Sequence, residues 1–121
     1  MDNPILVVDD EADLVTTYER LLRRQGYRVV SAGSLRTGLR VIEAEPLSLV
    51  IADLRLPDGD GLDVVRAARA LPTPLPVLVA TGLASRAARQ AALAAGATAF
   101  LAKPFATEAF SHLVSELMGR A

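Results

Sequence analysis

Acidic side chains follow two of the apolar runs in this sequence. In the stretch LVIADLRLPDGDG (49–61), Asp53 comes directly after an apolar run, and the run ILVVDD (5–10) ends in Asp9 and Asp10. Gathering such carboxylates is unfavourable, because two like charges ~4 Å apart repel by about 4 kcal/mol at an effective dielectric constant of 20. Either protonation of one carboxyl group or a cation between the carboxylates removes that cost, and hard carboxylate oxygens with room for water suit Mg²⁺.

A hydroxyl and an amine stand at the ends of two further apolar runs. Thr81 closes the run PVLVAT (76–81), and Lys103 closes the run TAFLAK (98–103), immediately before Pro104. An ammonium group in this position can pair with a carboxylate such as that of Asp53. A lysine before a proline also has a simpler explanation as a solvated strand end, and that alternative stays open.

Apolar runs alternate with stretches of helical periodicity along the chain. The hydrophobic pattern predicts strands over 5–10, 27–32, 47–53, 76–81 and 98–103, and helices over 11–26, 35–45, 61–71, 85–96 and 106–118. Ser34 and Asp60 are candidate N-caps, and Gly26 suits the left-handed position that follows a helix. The chain is therefore predicted to contain five strand–helix units.

Five such units predict an α/β fold: a single doubly wound, flavodoxin-like parallel sheet with five helices on both faces. Right-handed crossovers favour the strand order 2-1-3-4-5, which places the first and third strands side by side. Ligands of such sheets bind outside the carboxyl ends of the strands, where the strand order reverses. The side chains expected to meet at that edge are Asp9, Asp10, Asp53, Thr81 and Lys103.

Length and composition narrow the function further. A chain of 121 residues predicts one domain over residues 1–121, and its net charge of −1 provides no basic field for nucleic acid. The absence of cysteine excludes disulfides, thiolate catalysis and cysteine-ligated metals. Met1 is followed by Asp2 rather than by an apolar leader, and no apolar stretch approaches the ~20 residues of a membrane span. We expect a cytoplasmic domain that does not bind membranes.

Four segments carry a resemblance to a known family: VVDDEADL (7–14), IADLRLPDGDGL (51–62), VLVATG (77–82) and GATAFLAKPF (96–105). An apolar strand that ends in aspartate is common, but four such segments in this order, each at the expected strand end, are specific. Over essentially its whole length the chain resembles the receiver domains of response regulators in bacterial two-component phosphorelay signalling.

The resemblance implies that Asp53 accepts a phosphoryl group from a sensor histidine kinase or a histidine phosphotransfer protein. Mg²⁺ is the implied cofactor, and its implied ligands are the carboxylates of Asp10 and Asp53, the backbone carbonyl of Arg55 and, through water, Asp9. Such a domain is a signalling switch and not an enzyme, because it catalyses only its own phosphorylation and slow dephosphorylation.

The resemblance also implies a conformational switch. Lys103, in a Lys103–Pro104 bond that is usually cis in the family, would pair with Asp53 at rest and with the phosphoryl group afterwards. The hydroxyl of Thr81 would turn inward to that group, and Phe100 would move into the vacated space. This change would alter the surface of the fourth helix, fifth strand and fifth helix. The alternatives are a plain core aromatic residue at Phe100 and an ordinary β-branched strand residue at Thr81.

Family members dock their kinase or phosphotransfer partner where this chain has Leu14, Thr17, Pro104 and Phe105. Leu14 has the alternative of a leucine at the core's edge. Relatives often self-associate through the fourth helix, fifth strand and fifth helix, so a homodimer through that face is one expectation. The alanines of the fourth helix also follow simple helix propensity. No direct binding to nucleic acid is expected of this domain.

Two other protein classes stay open. A Mg²⁺-dependent phosphohydrolase also uses an aspartyl phosphate, but commonly carries a second acid two residues after a first-strand nucleophile, whereas Asp9 and Asp10 are adjacent. A flavin-binding electron carrier of the same fold needs a Ser/Thr/Gly-rich loop after the first strand, where DDEAD (9–13) repels phosphate.

Arg55 and Leu83 occupy positions that vary in the family and influence the dephosphorylation rate. A long cation and a bulky apolar group there motivate the hypothesis that they screen the phosphoryl group from water.

Overall fold

The predicted strands form one parallel sheet in the computed structural model, which describes residues 3–119. Its five strands are β1 (Ile5–Val8), β2 (Val29–Ala32), β3 (Leu49–Ala52), β6 (Val77–Thr81) and β7 (Ala99–Ala102). Two further short strands, β4 (Arg55–Leu56) and β5 (Gly59–Asp60), lie between β3 and the third helix and pair only with each other. The sheet has the order β2-β1-β3-β6-β7, which confirms the predicted order 2-1-3-4-5. The expectations about Met1 and Asp2, and the outer limits of the predicted domain 1–121, lie outside the described residues.

The five predicted helices are present, and every predicted bound lies within two residues of the observed one. The helices are α1 (Ala12–Arg24), α2 (Leu35–Ala44), α3 (Leu62–Arg69), α4 (Arg86–Ala94) and α5 (Thr107–Leu117). Ser34 caps α2 by accepting the N–H of Thr37 at 3.1 Å, and Gly26 after α1 has the expected positive φ of 91°. In the described part of the chain, no helix is both long and apolar enough to cross a membrane.

The N-cap prediction for α3 is wrong by one residue. The cap position belongs to Gly61, and Asp60 lies just before it. The Asp60 carboxylate still accepts the N–H of Leu62 at 2.9 Å. The first N–H groups of any helix lack an intrahelical acceptor. Asp60 supplies one for α3, as the sequence predicted, but from the position before the cap.

The sheet separates two apolar layers. Alternate side chains of β1 face opposite sides, so Leu6 and Val8 pack with α2, α3 and α4, whereas Ile5 and Val7 pack with α1 and α5. The four residues of β1 and of β3 are all buried, as a parallel sheet covered on both faces requires. Burial of each Val, Leu or Ile side chain in these strands contributes about 1.5–3 kcal/mol. This burial holds the strand ends, and the polar residues that follow them, in fixed places.

The segment after Asp53 forms a hairpin that the sequence interpretation treated as a plain turn. Strands β4 and β5 pair antiparallel, with Arg55 opposite Asp60. At its base, Gly61 donates its N–H to the carbonyl of Leu54 at 2.8 Å. A Cβ atom on Gly61 would lie 1.9 Å from the carbonyl oxygen of Asp53. Gly61 is therefore required by a close backbone approach, which fixes the chain directly after Asp53.

We predict that Gly61→Ala lowers the free energy of unfolding by about 2–3 kcal/mol, because the backbone of Asp53 must move to admit the methyl group. Urea denaturation measures the change. Gly33→Ala is the matched control, since a Cβ atom at Gly33 would contact nothing within 4 Å. Equal stability of the two variants would contradict the prediction.

Candidate functional site

The carboxyl ends of four strands bring together an acid pair, a hydroxyl and an amine. Asp9 follows β1, Asp53 follows β3, Thr81 ends β6 and Lys103 follows β7. The ammonium of Lys103 lies 2.8 Å from Oδ2 of Asp9 and 2.8 Å from Oδ2 of Asp53. Asp9, Asp53 and Thr81 are buried, and the Lys103 side chain is 12% exposed. The structure therefore places these four residues at the sheet edge where the sequence predicted them.

Both carboxylate oxygens of Asp53 have hydrogen-bond donors. Oδ1 accepts the hydroxyl of Thr81 at 2.6 Å and the N–H of Arg55 at 3.2 Å, while Oδ2 accepts Lys103. The Thr81 hydroxyl accepts in turn the N–H of Leu83 at 3.1 Å. In this structure Thr81 thus already faces Asp53, whereas the resemblance implied an inward turn upon phosphorylation.

Burial and ion pairing shift the pKa values of Asp9, Asp53 and Lys103 in opposite directions. Burial alone would raise the pKa of Asp53, but hydrogen bonds from Lys103, Thr81 and Arg55 outweigh it and lower that pKa. For Asp9, burial outweighs the same cation, and the pKa is raised. Burial would lower the pKa of Lys103, yet its two carboxylate partners raise it. Asp53 is therefore an ionised carboxylate at neutral pH, held against a protonated amine.

An open cavity of ≈ 510 Å³ adjoins Asp53, and Asp10, Glu11, Arg55 and Thr81 contribute to its lining. Among the described residues, carboxylate oxygens of Asp9, Glu11 and Asp53 lie within 4.8 Å of one another. Asp10 is exposed and is not part of that close group, although it lines the same cavity. These hard oxygen donors beside open space match the ligands and the retained waters that Mg²⁺ prefers.

Phe100 is half-buried on β7 and packs against the α2–α4 apolar layer. The guanidinium of Arg89, on α4, lies 5.6 Å from the centroid of its ring, a cation–π distance. The ring thus lies between the core and the surface. This position is compatible with both interpretations of Phe100, a switch residue and a plain core residue.

The four predicted partner-binding residues line one cavity of ≈ 590 Å³ beside Lys103. Leu14, Thr17 and Phe105 are half-buried, and Pro104 is exposed after the cis Lys103–Pro104 bond. The Phe105 ring stacks on Tyr18 at 6.0 Å and on Phe110 at 5.4 Å between centroids. This aromatic group holds the segment that follows Lys103.

Two acids of the region were missed by sequence reasoning. Glu11 places Oε1 3.3 Å from the ammonium of Lys103 and donates its N–H to Asp9 at 3.0 Å. Asp58 accepts two N–H groups of α2. The unbroken run of three acids from Asp9 to Glu11 was the available signal for the first residue. The second had none, because its partners lie more than 20 positions away along the chain.

The parallel sheet with its ligand edge at the strand order reversal defines the flavodoxin-like class of α/β proteins. Within that class, the sequence model of one protein family, the response regulator receiver domain, matches residues 5–115 of this chain. The chain therefore belongs to the response regulator receiver domain family.

Curated relatives are longer than this chain. The transcriptional regulatory protein PrrA of Mycobacterium tuberculosis is 35% identical over 116 residues, which are 96% of this chain and 50% of PrrA. The photosynthetic apparatus regulatory protein RegA of Cereibacter sphaeroides is 32% identical over 111 residues, 92% of this chain and 60% of RegA. The chain thus spans about half the length of the curated relatives it matches.

Solved structures share the fold over nearly the whole chain. A CheY-like receiver domain protein of Methanospirillum hungatei has a TM-score of 0.92 at 29% identity, covering 98% of this chain and 95% of its own. The receiver domain of a Pseudomonas aeruginosa sensor histidine kinase, with magnesium in its active site cleft, has a TM-score of 0.87 at 30% identity. The match covers 98% of this chain and 99% of that domain. A Burkholderia pseudomallei response regulator with a phosphorylated aspartic acid and a calcium ion has a TM-score of 0.85 at 33% identity. The match covers 96% of this chain and 66% of that regulator.

We predict that Lys103→Met raises the pKa of Asp53 above its ordinary value of 3.8, because burial and the remaining acids then act without the cation. In the wild type the lowered pKa stabilises the fold at pH values above the unfolded value, and this stabilisation is lost as the pH falls through the folded pKa. The variant should reverse that trend and gain stability in acid. A ¹³C NMR titration of the carboxyl groups, with urea denaturation at each pH, measures both effects.

Arg66→Met is the control for that experiment, because the Arg66–Asp63 pair on α3 is exposed and neither residue lines the cavity beside Asp53. An Asp53 carboxyl that titrates at the same pH with and without Lys103 would show that the ion pair does not set its ionisation.

Proposed function

We propose that this domain is the phosphoacceptor of a two-component system, with Asp53 as the residue that receives the phosphoryl group. The observation that carries the proposal is the environment of its carboxylate: Lys103 on one oxygen, Thr81 on the other, and an open cavity beside both. A phosphorylated aspartic acid in the 33% identical Burkholderia regulator supports the same chemistry here.

Asp53 acts as a nucleophile. Its carboxylate oxygen forms a bond to the phosphorus of a partner's phosphohistidine, the N–P bond breaks, and the histidine nitrogen leaves with the bonding electron pair. The lowered pKa of Asp53 keeps the attacking oxygen deprotonated. Lys103 then moves its interaction from the carboxylate to a phosphoryl oxygen, where it balances the new negative charge.

Mg²⁺ fits the oxygen donors at the site, and the Pseudomonas receiver domain has a magnesium ion coordinated in its active site cleft. Asp10, Asp53 and the carbonyl of Arg55 would hold the ion directly, and Asp9 would hold it through water. When bound, the ion neutralises charge on the carboxylates and the incoming phosphoryl group. Asp10 needs a change in side-chain position to join the close group formed by Asp9, Glu11 and Asp53.

Thr81 and Phe100 link the site to the surface of α4, β7 and α5. Since Thr81 already donates to Asp53, phosphorylation would change the acceptor of its hydroxyl more than its direction. Moving a two-state equilibrium from 1:99 to 99:1 takes about 5.5 kcal/mol. Hydrogen bonds to charged groups contribute roughly 1.5–3 kcal/mol each, so about two to four bonds to the phosphoryl group, beyond those that Asp53 already accepts at rest, would supply the energy that drives the Phe100 ring inward.

A sensor histidine kinase or a histidine phosphotransfer protein would dock on the cavity lined by Leu14, Thr17, Pro104 and Phe105, next to Lys103. Such docking brings the donor histidine to the edge where Asp53 lies. The homodimer through α4, β7 and α5, the lack of direct nucleic acid binding and the cytoplasmic location stay predictions. PrrA and RegA are regulators, so an effect on transcription through a longer chain is part of the proposal.

We predict that acetyl phosphate with Mg²⁺ adds one phosphoryl group to the protein, because a small donor can reach Asp53 through the open cavity. Intact-mass spectrometry measures the addition, which Asp53→Asn and chelation of Mg²⁺ should each abolish. Asp63→Asn, on the exposed side of α3, is the control and should be labelled like the wild type.

Two further observations separate the rival classes. Continuous turnover of a phosphate ester would favour a phosphohydrolase over a switch, and a yellow purified protein would favour a flavin carrier. Labelling that persists in Asp53→Asn would remove Asp53 from its proposed role.

We predict that Arg55→Ala shortens the lifetime of the aspartyl phosphate several-fold. Arg55 and Leu83 line the cavity beside Asp53, so loss of the long side chain opens a path for the hydrolytic water. The decay of labelled protein after donor removal gives the rate, with the exposed Arg40→Ala on α2 as control. Equal lifetimes of wild type and Arg55→Ala would contradict the screening role.

A further inference from the structure

The hairpin formed by β4 and β5 is too short to hold its own shape. Each strand has two residues, and an isolated two-stranded hairpin is marginally stable at best in water. Arg55 lies at its base, two residues after Asp53, and pairs with Asp60. The position of the Arg55 carbonyl therefore depends on the contacts that attach the hairpin to the rest of the fold.

Asp58, in the turn of the hairpin, attaches its tip to the N-terminus of α2. Its Oδ1 accepts the N–H of Leu35 at 2.7 Å, and its Oδ2 accepts the N–H of Arg36 at 3.0 Å. A carboxylate at this end of a helix satisfies N–H groups without intrahelical acceptors and interacts favourably with the helix dipole. The hydrogen bonds from Arg36 and Leu35 also lower the pKa of Asp58, so the acceptor stays ionised.

A second contact joins the same two elements. A Cβ atom on Gly59 would lie 2.5 Å from Cδ2 of Leu35, so the hairpin backbone packs directly against the first residue of α2. Ser34 already caps this helix through the N–H of Thr37. Asp58 thus adds to a helix that has its own cap, and what its two bonds supply beyond helix capping is the attachment of the hairpin.

We infer that Asp58 is a positioning residue for the phosphorylation site: by holding the hairpin on α2, it keeps the carbonyl of Arg55 in place beside Asp53. This inference rests on the proposed function, because it takes that carbonyl as a ligand of Mg²⁺. The carboxylate of Asp58 binds the N–H groups of Leu35 and Arg36 and does not line the cavity beside Asp53, so its effect on the site acts through the backbone of β4. Without the attachment, the carbonyl leaves its ligating position for part of the time, and the site binds the metal less tightly.

The test compares Asp58→Ala with Ser34→Ala, which removes the helix's own cap and leaves the hairpin attached. Calorimetric titration with MgCl₂ gives the metal affinity, and urea denaturation gives the stability of each variant. Both substitutions should lower stability, because both remove acceptors from the same helix end. Asp58→Ala should weaken Mg²⁺ binding by about 10-fold, at the lower end of what loss of an outer support costs, and Ser34→Ala should leave it unchanged.

Asp58→Asn retains one acceptor oxygen and should fall between the wild type and Asp58→Ala; it also decides the comparison if the alanine variant does not fold. Unchanged Mg²⁺ affinity in the Asp58 variants, or equal losses in Asp58→Ala and Ser34→Ala, would overturn the inference while leaving the proposed function intact. A wild type that binds no Mg²⁺ and takes no phosphoryl group from acetyl phosphate would overturn both.

Discussion

Repulsion among carboxylates at the carboxyl edge of the sheet is the constraint on which this structure depends. Asp9, Glu11 and Asp53 converge there, and two of the three are buried. One ammonium group, that of Lys103, contacts all three within 3.3 Å. The cost of gathering the acids is therefore offset by a single cation that directly follows β7. The same arrangement leaves a surplus of negative charge beside an open cavity, where a divalent ion and a phosphoryl group find complementary partners.

The fold follows from the sequence because its signals are local and repeated. Apolar runs of strand length alternate with amphipathic stretches, and right-handed crossovers then leave few strand orders. Ser34 and Gly26 mark helix ends by chemistry that acts within four residues. The predicted bounds of the five helices and of the five strands of the main sheet differ from the observed bounds by at most two residues. The predicted N-cap at Asp60 failed by one position because two neighbouring residues, one acidic and one glycine, both suit a helix start.

The site is less completely encoded in local patterns. Asp9, Asp53, Thr81 and Lys103 were identified because each follows an apolar run, and the sheet brings those ends together. The hairpin after Asp53 escaped notice because its strands are too short to show any alternation. The role of Asp58 arises from two N–H groups on another helix, and Glu11 joins the charge cluster through the length of its side chain. Contacts of this kind depend on tertiary placement, and the run of three acids from Asp9 to Glu11 is the one local signal that the sequence carries for them.

The sheet divides the interior into two layers with separate side chains, and this division affects how the domain can evolve. Leu14 and Phe105, at the proposed docking cavity, pack with the layer beneath α1 and α5, whereas Phe100 packs with the layer beneath α2, α3 and α4. Energetic effects of substitutions that share no neighbours are nearly additive. Substitutions at Leu14 or Phe105 can therefore accumulate without disturbing the packing around Phe100, so the surfaces above the two layers can vary independently of one another.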